Sequence, residues 1–465
     1  MGQDRSRRSI NTRIKKDTEV WQSLVHVCRR WRNIVFGSPL RLNLILVCTT
    51  KTPAGDTLDV WPPLPLVIWS HGYYGTDGDL TKGVDNVVAA LRYSDRVCRI
   101  SLAHAPKLYL EELFEAAQEP FPELTDLELS SDGGPVVPDS FLGASAPRLQ
   151  LISLSDTPFP GLSKLLLSAT HLVNLHLREI PHSGYISPEV MATTLSTLTC
   201  LEFLSLEFKS PQSYPDQESR RPPPPTRSVL PVLEHFTFKG ASDYLEYLVT
   251  RVDAPQLRWM YMIFFNQIVF YTPQLTQFVN RIPTLKALKT GYVTFGWNAA
   301  RVKLTSVSSL SQTLIYLHGA LHVKVPCIEL DWQVSSLEQV FTSSLPPLSA
   351  LEVLYIHMDP SSYPDWQDNI DNALWLELLR PFPAVKNLYL DAEFAPRIMP
   401  SLKELVGGRT TEVLPTLQNI FVEGLQSSGP VQESIRQFVA ARQVTGHPIA
   451  VFLWENSEKD KFWGE

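Results

Sequence analysis

Hydrophobic positions along the chain follow one short template, apolar-x-x-apolar-x-apolar, that returns eleven times between residues 97 and 422. The copies are Val97/Ile100/Leu102, Leu124/Leu127/Leu129, Leu149/Ile152/Leu154, Leu172/Leu175/Leu177, Leu201/Leu204/Leu206, Leu233/Phe236/Phe238, Leu257/Met260/Met262, Leu351/Leu354/Ile356, Val385/Leu388/Leu390 and Leu417/Ile420/Val422, with Leu285/Leu288 followed by Thr290 as an imperfect member. Their starts lie 23 to 34 residues apart except for one 66-residue gap from Leu285 to Leu351, which has room for a degenerate copy at Leu321, Val323 and Val325. Apolar and polar positions alternate within each copy as in a strand buried on one face. Pro122, Pro147, Pro231, Pro255, Pro283, Pro383 and Pro415 mark the turn before many of them. Stretches of helical period lie between. The clearest, residues 79–92, carries Val84, Val87, Val88 and Leu91 on one face and runs straight into the Val97 copy. The predicted unit is helix, turn, strand.

One such unit cannot bury its own apolar face, whereas a stack of them forms a parallel sheet on the inside of an arc with helices outside. The expected fold is therefore α/β, a leucine-rich-repeat-like solenoid or horseshoe over residues 41–455. An ordinary α/β sheet is the alternative, because the template is short and leucine is common. A polar segment at 210–228, with Arg220, Arg221 and four prolines at 222–225, reads as an insertion. It is either an inert loop or a polyproline segment able to dock in an aromatic groove. Pro430 is expected to begin a helix bearing Val431, Ile435, Phe438 and Val439 that Gly446 ends, with a last strand at 449–454 as a cap and a tail at 456–465.

In a strand of period two, the residues between the buried ones face the concave side. That places Trp259, Tyr261, Ile263, Tyr355, His357, Tyr389 and Phe421 on the inner face, beside Asp126, Glu128, His176, Arg178, Glu207 and Asp391. Grouped aromatics anchor protein interfaces, so the later repeats are the expected target-binding site. The competing expectation is that loops, above all the 66-residue gap segment, cover some of them.

Residues 1–19 form a basic tail with no hydrophobic period, either plainly disordered or a split import signal at Arg7, Arg8, Lys15 and Lys16. Over residues 20–36, Val20, Trp21, Leu24, Val27, Cys28, Trp31, Ile34 and Val35 recur at three- and four-residue steps on one helical face, with Arg29, Arg30, Arg32 and Asn33 opposite. Gly37 stands where a left-handed C-cap would end that helix, and Pro39 follows. Such a one-sided helix needs a packing partner from elsewhere.

Composition narrows the functional classes. Hydrophobic residues at 44% and charged residues at 19% exclude a disordered chain, and 37 prolines against 22 glycines point to many short, interrupted elements. Forty-one Lys and Arg against 48 Asp and Glu argue against duplex nucleic acid as partner, which needs a basic face. Cys28, Cys48, Cys98, Cys200 and Cys327 are scattered and odd in number, so neither a disulfide scaffold nor a zinc site is indicated. No run approaches the roughly 18 apolar residues of a membrane span, and a cytoplasmic or nuclear location is expected.

Signals for chemistry are weak. Pro65-Leu-Val-Ile-Trp-Ser-His71-Gly72 resembles a strand leading to an oxyanion loop, but no serine has glycine at both −2 and +2, so the nucleophile elbow is missing. His318 and His322 stand four apart without an acidic third ligand. No phosphate-cradling glycine motif is present. The expectation is a non-enzyme with no cofactor and no metal.

Residues 21–36, Trp-Gln-Ser-Leu-Val-His-Val-Cys-Arg-Arg-Trp-Arg-Asn-Ile-Val-Phe, resemble the last helix of an F-box, whose pattern contains L-x-x-V-C-[RK]-x-W-[RK]. With the repeats behind it, the chain resembles the F-box/leucine-rich-repeat proteins of mushroom-forming fungi, and 61–65 and 95–98 share that likeness. The resemblance implies a substrate receptor: the F-box, here residues 20–40, docks on the adaptor subunit of a cullin-RING ubiquitin ligase, and the repeats hold an unknown target protein. It assigns Leu24, Val27, Cys28 and Trp31 to the F-box core and adaptor face. The family's opening Leu-Pro element and first helix have no counterpart in residues 1–19. Two expectations follow, a truncated receptor or an interaction module without ligase coupling.

Overall fold

The computed structural model describes residues 27–37, 45–50, 54–55, 58, 63–71, 80–103, 107–211, 227–265, 270, 272–306, 320–343, 345, 348–359, 366, 370–405, 407–424 and 429–454. Leu24, most of the 210–228 segment, His318 and the 456–465 tail fall outside the described residues. The chain divides into two compact units, residues 1–220 (with 464–465) and 221–463. The boundary lies within the proline-containing segment.

The template copies become strands for a reason visible in the backbone. The first apolar residue of each copy closes a tight turn: the N–H groups of Leu124, Leu149, Leu257, Leu285, Leu351 and Leu417 donate to the carbonyls three residues back at 3.1–3.3 Å. The N–H two positions later then donates to the preceding repeat, as in Trp259 to Glu234 O (3.0 Å), Asn387 to Glu352 O (3.1 Å) and Asn419 to Lys386 O (2.9 Å). The next two apolar positions point to the helix side and are fully buried, for example Leu127, Ile152, Leu175, Met260, Leu354, Leu388 and Ile420. Burying a leucine in this way contributes roughly 1.5–3 kcal/mol.

In the first unit the strands are β1 (Leu46–Cys48), β2 (Leu66–His71), β3 (Val97–Ala103), β4 (Asp126–Ser130), β5 (Leu151–Ser155), β6 (Asn174–Ile180) and β7 (Phe203–Phe208). They pair in chain order and in parallel. Connections include α1 (Arg29–Phe36, ahead of the sheet), α2 (Leu80–Leu91), α3 (Lys107–Ala116), α4 (Leu162–Ser168) and α5 (Pro188–Leu195). The stretch compared with an oxyanion-loop strand is thus one repeat strand, β2, beside β3. Its Gly72 lies outside the described residues. Helix α1 stops at Phe36, but Gly37 is not left-handed; its N–H donates to Asn33 O at 2.9 Å, a plain continuation of the last turn.

The second unit carries the short pair β8 (Ser228–Val229) and β10 (Val252–Asp253), and a sheet of nine described strands. The sheet strands are β9 (His235–Gly240), β11 (Trp259–Phe264), β12 (Thr290–Phe295), β13 (Ala299–Thr305), β14 (Ala320–Pro326), β15 (Val353–Met358), β16 (Asn387–Leu390), β17 (Asn419–Glu423) and β18 (Ala450–Trp454). Helices α6 (Ser242–Val249), α7 (Pro273–Arg281), α8 (Leu330–Ser343), α9 (Asn372–Leu379), α10 (Ala395–Lys403) and α11 (Pro430–Val444) connect them. The order is β9-β11-β14-β13-β12-β15-β16-β17-β18, parallel except for β13. The 66-residue gap therefore contributes two further strands, β13 and β14. They lie between β11 and β12, and the residues at Leu321, Val323 and Val325 are buried in β14.

The imperfect copy has a different register from the one expected. Gly291 and Val293 pair with Leu354 and Ile356, so the copy is Leu288-x-x-Gly291-x-Val293 rather than Leu285/Leu288/Thr290. A glycine fills the central apolar position because Leu304 of β13 and Leu354 of β15 converge there: a Cβ on Gly291 would sit 3.4 Å from both side chains.

Helix α11 closes the second unit, ending before Gly446 in the left-handed region. Its Arg442 is completely buried and donates to the carbonyls of Thr410 (2.9 Å), Pro415 (3.2 Å), Leu417 (3.3 Å) and Leu414 (3.4 Å), the turn that precedes β17. A planar fork of donors reaches several carbonyls at once, which an ammonium cannot do. Arg442→Ala is expected to cost about 2–4 kcal/mol in urea denaturation by stranding these acceptors and leaving a cavity, and Arg442→Lys to recover less than half of it.

Candidate functional site

Parallel, in-register pairing sets equivalent template positions side by side. On the side of the second sheet opposite the buried leucines, Tyr292, Tyr355, Tyr389, Phe421 and Phe452 occupy one row across β12, β15, β16, β17 and β18. Their rings stack in sequence. Centroid separations are 4.7, 4.3, 4.2 and 5.1 Å, at interplanar angles of 10°, 18°, 5° and 19°. Trp454 flanks the row, 5.3 Å from Tyr389 and 6.0 Å from Tyr355. Each pair of this kind contributes about 0.5–1.5 kcal/mol beyond area burial. Burial pushes the Tyr389 phenol upward in pKa, opposed by a hydrogen bond with Tyr355. The ladder grades from Tyr292, 3% exposed, through half-buried Tyr355, Tyr389 and Phe421, to Phe452, 45% exposed on the edge strand.

The same row continues the other way through Lys303 (β13), His322 (β14), Tyr261 (β11) and Thr237 (β9). Trp259 lies over His322 at 4.3 Å and Tyr261 meets it edge-on at 5.9 Å. His322 keeps some accessible ring surface, but its Nε2 is sealed from solvent without a hydrogen-bond partner. Burial, reinforced by the Lys303 ammonium, drives its pKa down to about 3. Burial also lowers the pKa of Lys303. One row higher, Ile263 pairs with Lys324, and Thr294 with His357, whose Nε2 is 3.3 Å from the threonine hydroxyl.

Trp259, Tyr261, Ile263, Tyr355, His357, Tyr389 and Phe421 thus all lie on one face of one sheet, each half-buried. Tyr355, Tyr389 and Phe421 touch as a stack; Trp259 and Tyr261 form a second group around His322. Asp391 does not join them. It is buried after β16, where Oδ2 accepts the Met358 N–H (2.6 Å) and Oδ1 those of Phe394 (2.8 Å) and Glu393 (3.1 Å), so it shapes the turn into α10. His322 belongs to a strand and has no helical face to share with a second histidine. Among the described residues no group of three or more His, Cys, Asp or Glu is placed to hold a metal ion, and no helix is long and apolar enough to cross a membrane.

Sequence reasoning missed Tyr292, Lys303, Phe452 and Trp454. Aligning the imperfect copy on Leu288 would have put Tyr292 in line with Tyr355. The last strand shows its pattern only when paired with β17, since as an edge it exposes Leu453 where other repeats bury a leucine.

The first unit presents a different face. Asp126, Glu128, His176, Arg178 and Glu207 lie on its uncovered side without aromatic stacking, and the charges engage each other: Arg99 with Asp126 at 2.7 Å and Arg178 with Glu207 at 3.6 Å. Ahead of that sheet, α1 and the residues before it expose Val27 (65%), Trp31 (46%) and Ile34 (51%), with Cys28 also exposed.

No family model matches the chain, and no curated protein does. Among solved structures it is similar to the crystal structure of the leucine-rich repeat-containing protein LegL7 from Legionella pneumophila, at 13% identity over 73% of this chain and 96% of that one, with a TM-score of 0.28. A likeness at that score carries no argument. The leucine-rich-repeat-like α/β character of each unit rests on its own strand register and turn closure.

The sealed histidine has a pH signature. Its pKa is about 3 in the folded chain against 6.5 unfolded, so between these values the unfolded state binds a proton that the native state does not. Stability contributed by the neutral ring is complete above pH 6.5 and is lost as pH falls towards 3. Thermal melts at pH 7 and pH 4 should show wild type losing on the order of 3 kcal/mol more than His322→Gln. Equal losses would mean the ring is solvated.

Proposed function

We propose that this chain is a non-catalytic substrate receptor: the aromatic face of the 221–463 unit captures a target protein, and α1 docks on the adaptor subunit of a cullin-RING (SCF-type) ubiquitin ligase. The observation that carries the capture role is the stacked row Tyr355, Tyr389, Phe421 and Phe452, four rings on a sheet face that leads to an exposed edge. Rigid aromatics lose little conformational entropy on binding and anchor interfaces out of proportion to their number. Ligase coupling is supported by the F-box resemblance of residues 21–36 and by the apolar side chains that α1 and its lead-in leave exposed. The receptor acts inside the cell and performs no chemistry itself.

Both halves of the proposal are tested by retaining proteins from an extract of the source cells on three immobilised chains. Wild type should hold the adaptor and at least one further protein. Tyr389→Ala/Phe421→Ala should keep the adaptor and lose the further protein, while costing only about 1–3 kcal/mol in stability. Val27→Ala/Trp31→Ala should lose the adaptor and melt as wild type does. Absence of adaptor from wild type would leave an interaction module without ligase coupling; an unchanged set of proteins on the ladder variant would contradict the capture role.

A further inference from the structure

The aromatic row contains one formal charge. Reading across the sheet it runs Tyr261, His322, Lys303, Tyr292, Tyr355, Tyr389, Phe421, and no carboxylate occurs in it. Other cations of this unit are matched: Arg301 by Asp359, Lys289 and Lys386 by Glu352. Lys303 has no carboxylate partner among the described residues. Its neighbour His322 stays neutral and donates no compensating charge of either sign. An ammonium held partly out of water without a counterion costs free energy that an incoming carboxylate would recover.

We propose that the target segment recognised by this face is a short extended stretch with an Asp or Glu at one end and aromatic, prolyl or aliphatic side chains along the rest, its carboxylate pairing with Lys303 and its apolar side chains lying on Tyr355, Tyr389 and Phe421. The proposal rests on the ladder being the capture surface. The geometry sets the length. Lys303 and Phe421 are four strands apart, about 19 Å at roughly 4.8 Å per strand, which an extended chain of about 3.3 Å per residue spans in about six residues. The strands run across this path, so the ligand lies over the sheet instead of adding to its edge.

A phage-displayed library of random dodecapeptides, panned on the full chain, tests this directly. Enriched sequences should carry an acid about six residues from a ring or proline. Replacing that acid by its amide, or using Lys303→Met, should weaken binding of the synthesised peptide about tenfold or more. Lys303→Glu should instead enrich peptides with Lys or Arg at the same place. The Lys303→Met chain should melt no lower than wild type, because it removes an uncompensated charge, so weakened binding cannot come from unfolding. If peptides bind through the ladder, as shown by loss with Tyr389→Ala, yet ignore every change at Lys303, the acidic register is wrong and the capture surface stands. If wild type enriches nothing, the capture surface and the acidic register fall together.

Discussion

Everything in this molecule follows from one constraint, the parallel in-register pairing of successive repeats. A tight turn closed by the first apolar residue of each copy delivers the next N–H to the carbonyl of the repeat before, so Trp259, Asn387 and Asn419 each start their strand at the same offset. A one-residue slip would turn the buried leucines out to solvent. Burial of Leu354, Leu388 and Ile420 therefore pins the register. The pinned register in turn stacks Tyr355 on Tyr389 and Tyr389 on Phe421 at 4.3 and 4.2 Å. The ladder is a consequence of the core on the opposite side of the sheet.

The two units use the same repeat for different surfaces. Positions that hold rings in the second unit hold Glu128, His176 and Arg178 in the first, where charges satisfy each other across neighbouring strands. Surface ion pairs of that kind add little stability and leave little apolar area to anchor a partner. The second unit departs from regular repetition at β12, β13 and β14, and the departure concentrates its unusual chemistry. The reversed strand β13 brings Lys303 between His322 and Tyr292, a lysine placed among rings with burial lowering its pKa.

Much of this was legible in the amino-acid order. Ten regular copies of the template predicted strands that the structure shows, because a buried leucine at a fixed offset leaves a periodic trace. The seven residues proposed for target binding fall on one face for the same reason: alternation fixes sidedness without any knowledge of neighbours. What stayed hidden depended on tertiary packing. Gly291 does the work of an apolar residue because Leu304 and Leu354 fill its space, and a template that counts leucines passes over it. The insertion of β13 and β14 between β11 and β12 reorders the sheet through long-range pairing with no local signature. Asp391, read as a surface acid by alternation, is drawn inward by three backbone N–H groups at the end of a four-residue strand.

The central claim is that the rings are stacked yet accessible, a surface and not a second core. Hydroxyl-radical footprinting of the free chain with residue-level mass spectrometry reads this directly. The account predicts graded oxidation, greatest at Phe452, intermediate at Phe421, Tyr389 and Tyr355, and near background at the buried rings Phe295, Phe382 and Phe394. Protection of Phe452, Phe421 and Tyr389 to the level of Phe295 would place the ladder in an interior and contradict it.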